Sequence, residues 1–359
     1  MHKKNYIIPI FVPHKGCPHD CIFCNQKKIT GSRDDINAAT VESIINKYLD
    51  TIPRKDAVIE VAFYGGSFTG IPQETQIELL LAAKRFKDQD RIQGIRLSTR
   101  PDYIDEHIVE LLKQMGVTTI ELGVQSMDAE VLKLSYRGHS CEDVVRAVSI
   151  IKQKGFTLGL QMMVGLPGDS EQTIQRTADE IIALKPDIVR IYPTLVVKET
   201  ALEKLYYQGK YKPFGLDAAV KICKELLVKF EMAGIQVIRI GLQPTDTMQE
   251  GKDIIAGPFH PAFRELVESQ LRLDMIKFAA NQFTEITGGL QLEVHPKALS
   301  EVVGVKKNNI NHLKQYLKID TIHIIQNADL MRDEIIVNKE KTSIKVSKKI
   351  FYNSLKPIK

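Results

Sequence analysis

Three cysteines stand within eight residues near the start of the chain, Cys17, Cys21 and Cys24, in the run FVPHKGCPHDCIFCNQ. Their spacing is C-x3-C-x2-C. Thiolates this close in a loop can converge on one face of an iron–sulfur cubane and leave the fourth iron without a protein ligand. That open corner is a coordination site for a small molecule. Phe23, just before the last cysteine, would shield such a cluster from water. Zinc is the other metal that such thiols hold, with His14 or His19 as a fourth tetrahedral ligand. Zinc sites usually come as paired C-x2-C units across a spacer, and no second pair follows. The spacing therefore points first to a [4Fe–4S] cluster and second to structural zinc.

Five cysteines in 359 residues do not make a disulfide scaffold, and three crowded into one loop suit a reducing compartment. Cys141 and Cys223 lie alone in helix-like segments and read as small buried hydrophobes. No run approaches the roughly 20 apolar residues of a membrane span. The opening MHKKNYIIPIFVPHKG has too short an apolar stretch for a signal peptide, so a cytoplasmic location is expected.

The elements that must carry the cysteine loop follow from periodicity. Strands are predicted over Tyr6–Val12, Val58–Tyr64, Gly94–Ser98, Thr118–Val124, Thr157–Val164 and Ile188–Tyr192. Helices fall between them near Thr40–Leu49, Gln73–Lys87, Ile104–Met115, Asp128–Leu134, Cys141–Lys154 and Ser170–Leu184. Strand and helix repeated about six times means right-handed βαβ units and a parallel sheet. No strand runs into the GxGxxG turn of a dinucleotide-binding sheet, and the chemistry-bearing loops all follow strands. A partial (β/α)6 TIM-like barrel is therefore expected, with its site at the strand ends. A helix (Leu216–Ala233) and a strand (Gln236–Ile240) extend this core. The polar run Leu242–Gly257 reads as a long connection before a helix from Ala262 to Phe283. Beyond Gly289, a helix at Asn308–Leu317 and strands at Thr321–Gln326, Glu334–Asn338 and Ser343–Val346 form a small α+β appendix. The expected division is residues 1–240 as the barrel core, 241–289 as a connection and covering helix, and 290–359 as the appendix.

A C-x3-C-x2-C loop after the first strand of a βα repeat resembles the signature of the radical S-adenosylmethionine (SAM) superfamily. The resemblance implies that the open iron binds the amino and carboxylate groups of SAM. One-electron reduction then cleaves SAM to methionine and a 5′-deoxyadenosyl radical. It also implies roles for the later loops. Gly65, Gly66 and Ser67, after the second strand, occupy the place of a glycine motif that receives the SAM amino group. Thr99 and Arg100 follow the third strand and would face the barrel mouth. Gln125 and Ser126 end the fourth strand and are counted among the SAM-facing residues. Arg100 or Arg137 could fork onto the SAM carboxylate. Gln161 is a polar residue in an apolar strand, and a ribose hydroxyl would satisfy it. Gly165 and Leu166, in the turn Gly-Leu-Pro-Gly, offer a flat surface to adenine.

From Cys17 to about Phe214 the motifs YGGSF, STRPDYI, ELGVQS, RGHS, MMVGLPG and RIYPTLVVKETALEKLYYQGKYKPF resemble the Elp3-like branch of that superfamily. The branch implies tRNA modification at a wobble uridine. Three departures limit the inheritance. The cysteine loop is more compact than in Elp3 proteins, Gln161 stands where they carry histidine, and nothing after residue 216 looks like their acetyltransferase domain. The radical chemistry is expected to carry over and the acetyl-CoA-dependent reaction is not. His260 and Arg264, in a Gly/Pro/His-rich run after the core, are candidate substrate contacts.

The net charge of +5 is concentrated at the end of the chain, where residues 290–359 carry 13 Lys and Arg against 7 Asp and Glu. Lys306, Lys307, Lys314, Lys318, Lys341, Lys345, Lys348 and Lys349 supply most of it. A basic appendix beside a near-neutral core fits phosphate-backbone binding, and so tRNA as a partner, although lysines with few interleaved aromatics also serve as a solvated surface. An external one-electron donor, a ferredoxin or flavodoxin, is expected, since no second cysteine set could hold one. Two other readings stay open: a radical SAM enzyme acting on a small or porphyrin-like molecule, as oxygen-independent coproporphyrinogen oxidases do, and a non-catalytic scaffold bearing zinc.

Overall fold

The computed structural model describes residues 4–12, 21–25, 36–53, 57–242, 251–285 and 288–355. Cys17 therefore lies outside the described residues, as do His14 and His19. The chain divides into two compact units, residues 1–216 with 233–259, and residues 217–232 with 260–359.

The first unit is built on a parallel sheet. Its strands are β1 (Lys4–Val12), β2 (Ala57–Gly65), β3 (Gly94–Thr99), β4 (Thr119–Gln125), β5 (Thr157–Val164) and β6 (Ile188–Pro193). A two-residue strand outside this sheet, β7 (Val196–Val197), precedes β8 (Gln236–Ile240), which completes the sheet in the order β1-β2-β3-β4-β5-β6-β8. The seven strands curl into a half-barrel, so the expected partial TIM-like fold is present with the predicted extension as its last strand. Helices α1 (Ala38–Leu49), α2 (Gln73–Asp88), α3 (Glu106–Gln114), α4 (Ala129–Leu134), α5 (Cys141–Gln153) and α6 (Glu171–Ala183) make the crossovers. A further helix, α7 (Ala201–Tyr207), follows β7. Six of the seven start where a side chain satisfies the first free amides: Asn37, Asp105, Asp128, Ser140, Ser170 and Thr200 cap α1, α3, α4, α5, α6 and α7, while α2 follows Pro72 without a side-chain cap.

Strand β4 is buried along its whole length, and Ile120, Leu122 and Val124 present the apolar parity. The other parity places Glu60 on β2, Arg96 on β3, Glu121 on β4, Gln161 on β5 and Arg190 on β6. One strand face is thus apolar and the other carries a polar side chain from five neighbouring strands. Within the run predicted as a polar connection, Leu242–Gly257, the structure places β9 (Ile254–Ala256), antiparallel to β7. Residues 243–250 of that run lie outside the described residues.

The second unit contains α8 (Leu216–Met232), α9 (Phe263–Ala280) and a four-stranded sheet. Its strands β10 (Gly289–Val294), β11 (Thr321–Gln326), β12 (Glu334–Lys339) and β13 (Thr342–Ser347) lie in the order β11-β10-β12-β13. Arg272 on α9 is 2% exposed and needs an anion there; Glu301 supplies it at 3.1 Å and also holds Arg332 at 2.6 Å. No helix among the described residues is long and apolar enough to cross a membrane.

Candidate active site

Cys21 and Cys24 sit in a tight turn after β1, in which the Cys24 amide donates to the Cys21 carbonyl at 2.9 Å. Ile22 follows Cys21 in this turn. Its amide donates to the Ser135 carbonyl at 3.3 Å, and its own carbonyl accepts the Leu202 amide at 2.7 Å. Ile22, Val196, Leu202 and Tyr211 form a small apolar cluster, and Phe23 packs against it. The turn is therefore fixed by a side core of its own, and Phe23 contributes to that core.

Arg137 is buried beside the turn. Its Nη1 donates to Cys21 Sγ at 3.2 Å and its Nη2 to the Gly123 carbonyl at 2.6 Å. It reaches this position because α4 closes through Tyr136, held at φ 51°, with the Arg137 amide bonded to the Leu132 carbonyl at 3.0 Å. A side chain on Gly123 would place its Cβ 2.9 Å from Gln125 Nε2 and 3.4 Å from Arg137 Nη2, so glycine is what admits both groups. Two atoms here, Arg137 Nε and Gln125 Oε1, are buried and have no partner among the described residues. Buried polar atoms are rarely left so, and a polar ligand would satisfy them. His139 completes this loop: burial, then the Arg137 and Arg100 guanidinium groups, push its imidazole down to about 3. It is therefore neutral, with Nε2 3.2 Å from the Val124 carbonyl.

At the end of β2, Gly65 holds φ +121°, and a Cβ there would lie 2.2 Å from the Val12 carbonyl oxygen. Only glycine lets the two strand ends close. Ser67 and Thr99 join the next two loops, hydroxyl to hydroxyl at 2.7 Å, and Ser67 Oγ also accepts the Arg100 amide at 3.2 Å. The Arg100 fork grips Asp102 with two bonds of 2.9 Å. Ser126 accepts the Asp128 amide at 3.1 Å and lies 3.3 Å from Thr177 Oγ1.

The polar parity of the sheet forms a lattice that the sequence reading did not assemble. Glu121, 1% exposed, takes Arg96 Nη1 at 2.9 Å and Arg190 Nε at 2.5 Å. Arg96 also holds Glu60 at 2.6 Å, and Arg190 donates to the Tyr64 hydroxyl at 2.7 Å. Burial alone would raise the Glu121 carboxyl, but Arg190 and Arg96 outweigh it and hold it below its usual range. Burial pushes the Tyr64 phenol up to about 12. Gln161 Nε2 donates to Ser98 Oγ and Glu121 Oε2, each at 3.2 Å, so the partner it requires comes from the lattice. The available signal was a single charge centred in each otherwise apolar strand, as in AVIEVAF, GIRLS, TIELG and IVRIY.

After β5, the Asp169 carboxylate accepts the Gly165 and Leu166 amides at 3.0 and 3.2 Å, and the Tyr211 hydroxyl donates to the Gly165 carbonyl at 2.6 Å. Burial raises Asp169 to about 6, against the pull of these bonds and of Thr173. His260 and Arg264 belong to the second unit. There His260 Nδ1 accepts the Ala262 amide at 3.1 Å, at the entry to α9, and Arg264 pairs with Glu268 at 3.5 Å.

The structure thus brings Cys21, Gly123, Gln125 and Arg137 together, and separately ties Ser67 and Thr99. Comparison with known proteins gives this arrangement a context. The chain matches the family model of the radical SAM superfamily over residues 11–181 and that of the radical SAM C-terminal domain over residues 186–272. It is 28% identical over 260 residues to a tRNA uridine(34) acetyltransferase of Methanocaldococcus infernus, covering 60% of this chain and 48% of that protein. It is 30% identical over 235 residues to an uncharacterised protein of Methanocaldococcus jannaschii, covering 63% of this chain and 72% of the relative. In structure it is similar to archaeal Elp3 of Methanocaldococcus infernus, with TM-score 0.60 and 24% identity over 76% of this chain and 63% of that one. The chain spans about half the length of the tRNA uridine(34) acetyltransferases it matches.

Proposed function

The chain belongs to the radical SAM superfamily, in its Elp3-like branch, and from that premise we propose that it cleaves SAM reductively at a [4Fe–4S] cluster held by Cys17, Cys21 and Cys24 and modifies RNA, with tRNA as the substrate class. When bound, the cluster and SAM supply a 5′-deoxyadenosyl radical, which abstracts hydrogen from the substrate.

The observation that carries the reading is Arg137. A buried guanidinium donating to Cys21 Sγ holds positive charge against a thiolate ligand, and its unpartnered Nε and the unpartnered Gln125 Oε1 suit the polar end of an amino-acid cofactor. Gly65 keeps the loop of Gly66 and Ser67 against the end of β1, the strand that leads into the cysteines. Asp169, accepting the Leu166 amide, and Tyr211, donating to the Gly165 carbonyl, fix the two edges of the Gly165–Leu166 peptide. The Glu60–Arg96–Glu121–Arg190–Tyr64 lattice ties five side chains together on the polar face of the strands. The assignment of RNA rests on the names of the relatives and on the basic second unit.

Anaerobic reconstitution with iron and sulfide, followed by a SAM-cleavage assay with and without total tRNA, tests the reading. The expected result is about four irons per chain, 5′-deoxyadenosine formed under dithionite, and loss of both in Cys17→Ala, Cys21→Ala and Cys24→Ala. Deoxyadenosine formation unchanged in those variants would end it. Equal binding of tRNA and of a neutral polymer would remove the RNA assignment.

A further inference from the structure

A cavity of about 780 Å³ opens in the first unit, lined by Ile22 of the cysteine turn and by the Gly165–Asp169 turn. Its floor is apolar and includes Ile22, Leu166 and Phe214. Ile22 is bonded covalently to Cys21 and is 1% exposed, so the floor lies one residue from a cluster ligand. The rim is cationic: Lys133, Lys204, Lys210 and Lys212 line it, against one carboxylate, Asp169, which is turned inward onto the Gly165 and Leu166 amides. Among the described residues Lys133 has an exposed contact of 3.7 Å with Glu130. Beside the lysines stand Leu134 and Tyr136, 42% and 66% exposed, the latter at φ 51°.

We infer that this lysine-rimmed cavity is the docking surface for a small acidic one-electron carrier protein, which reduces the cluster through the Cys21–Ile22 turn. This rests on the radical SAM reading above and assigns its missing reductant a place. Charge is the first argument. Four lysines around an apolar centre make a field that attracts an acidic protein and speeds its encounter, while few fixed contacts allow it to leave. Transient redox complexes are small and weak for that reason. Position is the second argument. An electron must reach the sulfur ligands, and this surface shares a residue with their turn. An RNA would make different demands. Arginine, whose fork fits phosphate and guanine, is absent from the rim, and lysine is a mobile point charge. With flavodoxin as donor, one electron leaves the flavin hydroquinone anion, which becomes the neutral semiquinone with no proton transferred, and [4Fe–4S]2+ becomes [4Fe–4S]+.

The test compares the wild-type chain with Lys204→Glu/Lys210→Glu/Lys212→Glu and with the milder triple Gln variant, using purified flavodoxin and purified ferredoxin as probes. Binding of each carrier is measured by calorimetry at low and high salt, and bleaching of the cluster absorbance by stopped flow. The proposal expects salt-sensitive binding of at least one carrier. The Glu variant should bind it at least about tenfold more weakly and be reduced by it at least about tenfold more slowly, the Gln variant falling between. Dithionite-driven cluster reduction should be the same in all three, which also shows that the variants are folded. Binding and carrier-driven reduction that survive the Glu substitutions overturn the proposal. So does loss of tRNA binding with carrier binding intact, which would assign the rim to RNA. If dithionite yields no SAM cleavage in the wild type, the radical SAM reading fails, and the calorimetry still decides whether the rim binds an acidic carrier.

Discussion

Arg137 joins the cysteine turn to the fourth strand: one guanidinium donates to Cys21 Sγ at 3.2 Å and to the Gly123 carbonyl at 2.6 Å. A hydrogen bond to a charged group contributes about 1.5–3 kcal/mol. Arg137→Ala should therefore lower the SAM-cleavage rate by roughly 10- to 100-fold. Arg137→Lys keeps the charge but cannot reach both acceptors, and it should fall between. Deoxyadenosine formation and bound iron, measured in parallel, check this; identical rates in all three chains would contradict it.

Glu121 is enclosed by two arginines, and removing its charge leaves Arg190 buried without a carboxylate and Arg96 with Glu60 alone. Glu121→Gln should cost about 3–5 kcal/mol of stability. Urea unfolding would show it as a lower midpoint. Replacing Arg190 by Met in the same chain should recover part of the loss, because the stranded cation is then gone. A midpoint unmoved by Glu121→Gln would mean that the lattice contributes nothing net.

Gly65→Ala places a methyl group 2.2 Å from the Val12 oxygen at a φ that side chains avoid. The backbone strain is about 1–3 kcal/mol before the clash is counted. The variant should be destabilised by more than about 2 kcal/mol. Wild-type stability in this variant would show that β1 and β2 part at no cost.

Asp169 gives a pH signature. Its folded value is raised from 3.8 to about 6, so between those limits the folded chain holds a proton that the unfolded chain has released. This group's contribution to stability therefore falls as pH rises from about 3.8 to about 6 and is flat outside that window. The difference in unfolding free energy between wild type and Asp169→Asn should change over this range. A constant difference from pH 3.5 to 7 would show that the carboxyl is not raised.

The barrel was legible in the sequence because each strand is an apolar, β-branched run long enough to show its type, and Thr157–Val164 and Gln236–Ile240 match their predicted bounds. β7 was not, since two residues carry no period and its partner β9 lies more than fifty residues away. β10, with sequence GLQLEV, was missed behind the glycine pair that read as a boundary. At the site, chemistry followed from spacing: cysteines, paired glycines and polar strand ends could be named one by one. Which of them touch could not. Arg100 and Arg137 were equivalent as candidates for a carboxylate, yet one fork closes on Asp102, two residues away, and the other crosses 116 residues to Cys21. Gln161 was recognised as needing a partner, but Glu121 and Ser98 are set by strand register, which no local pattern encodes.

The two opposed backbone bonds of Ile22 bear on how the protein acquires its metal. Held by Ser135 on one side and Leu202 on the other, the segment carrying Cys21 and Cys24 is anchored by backbone bonds to two distant parts of the chain. A delivery protein would meet these two sulfurs already presented, with little ordering entropy left to offset at the moment of transfer. Chelation should then strip the iron without melting this segment, and the Ile22 amide should exchange its hydrogen as slowly in the stripped chain as in the loaded one.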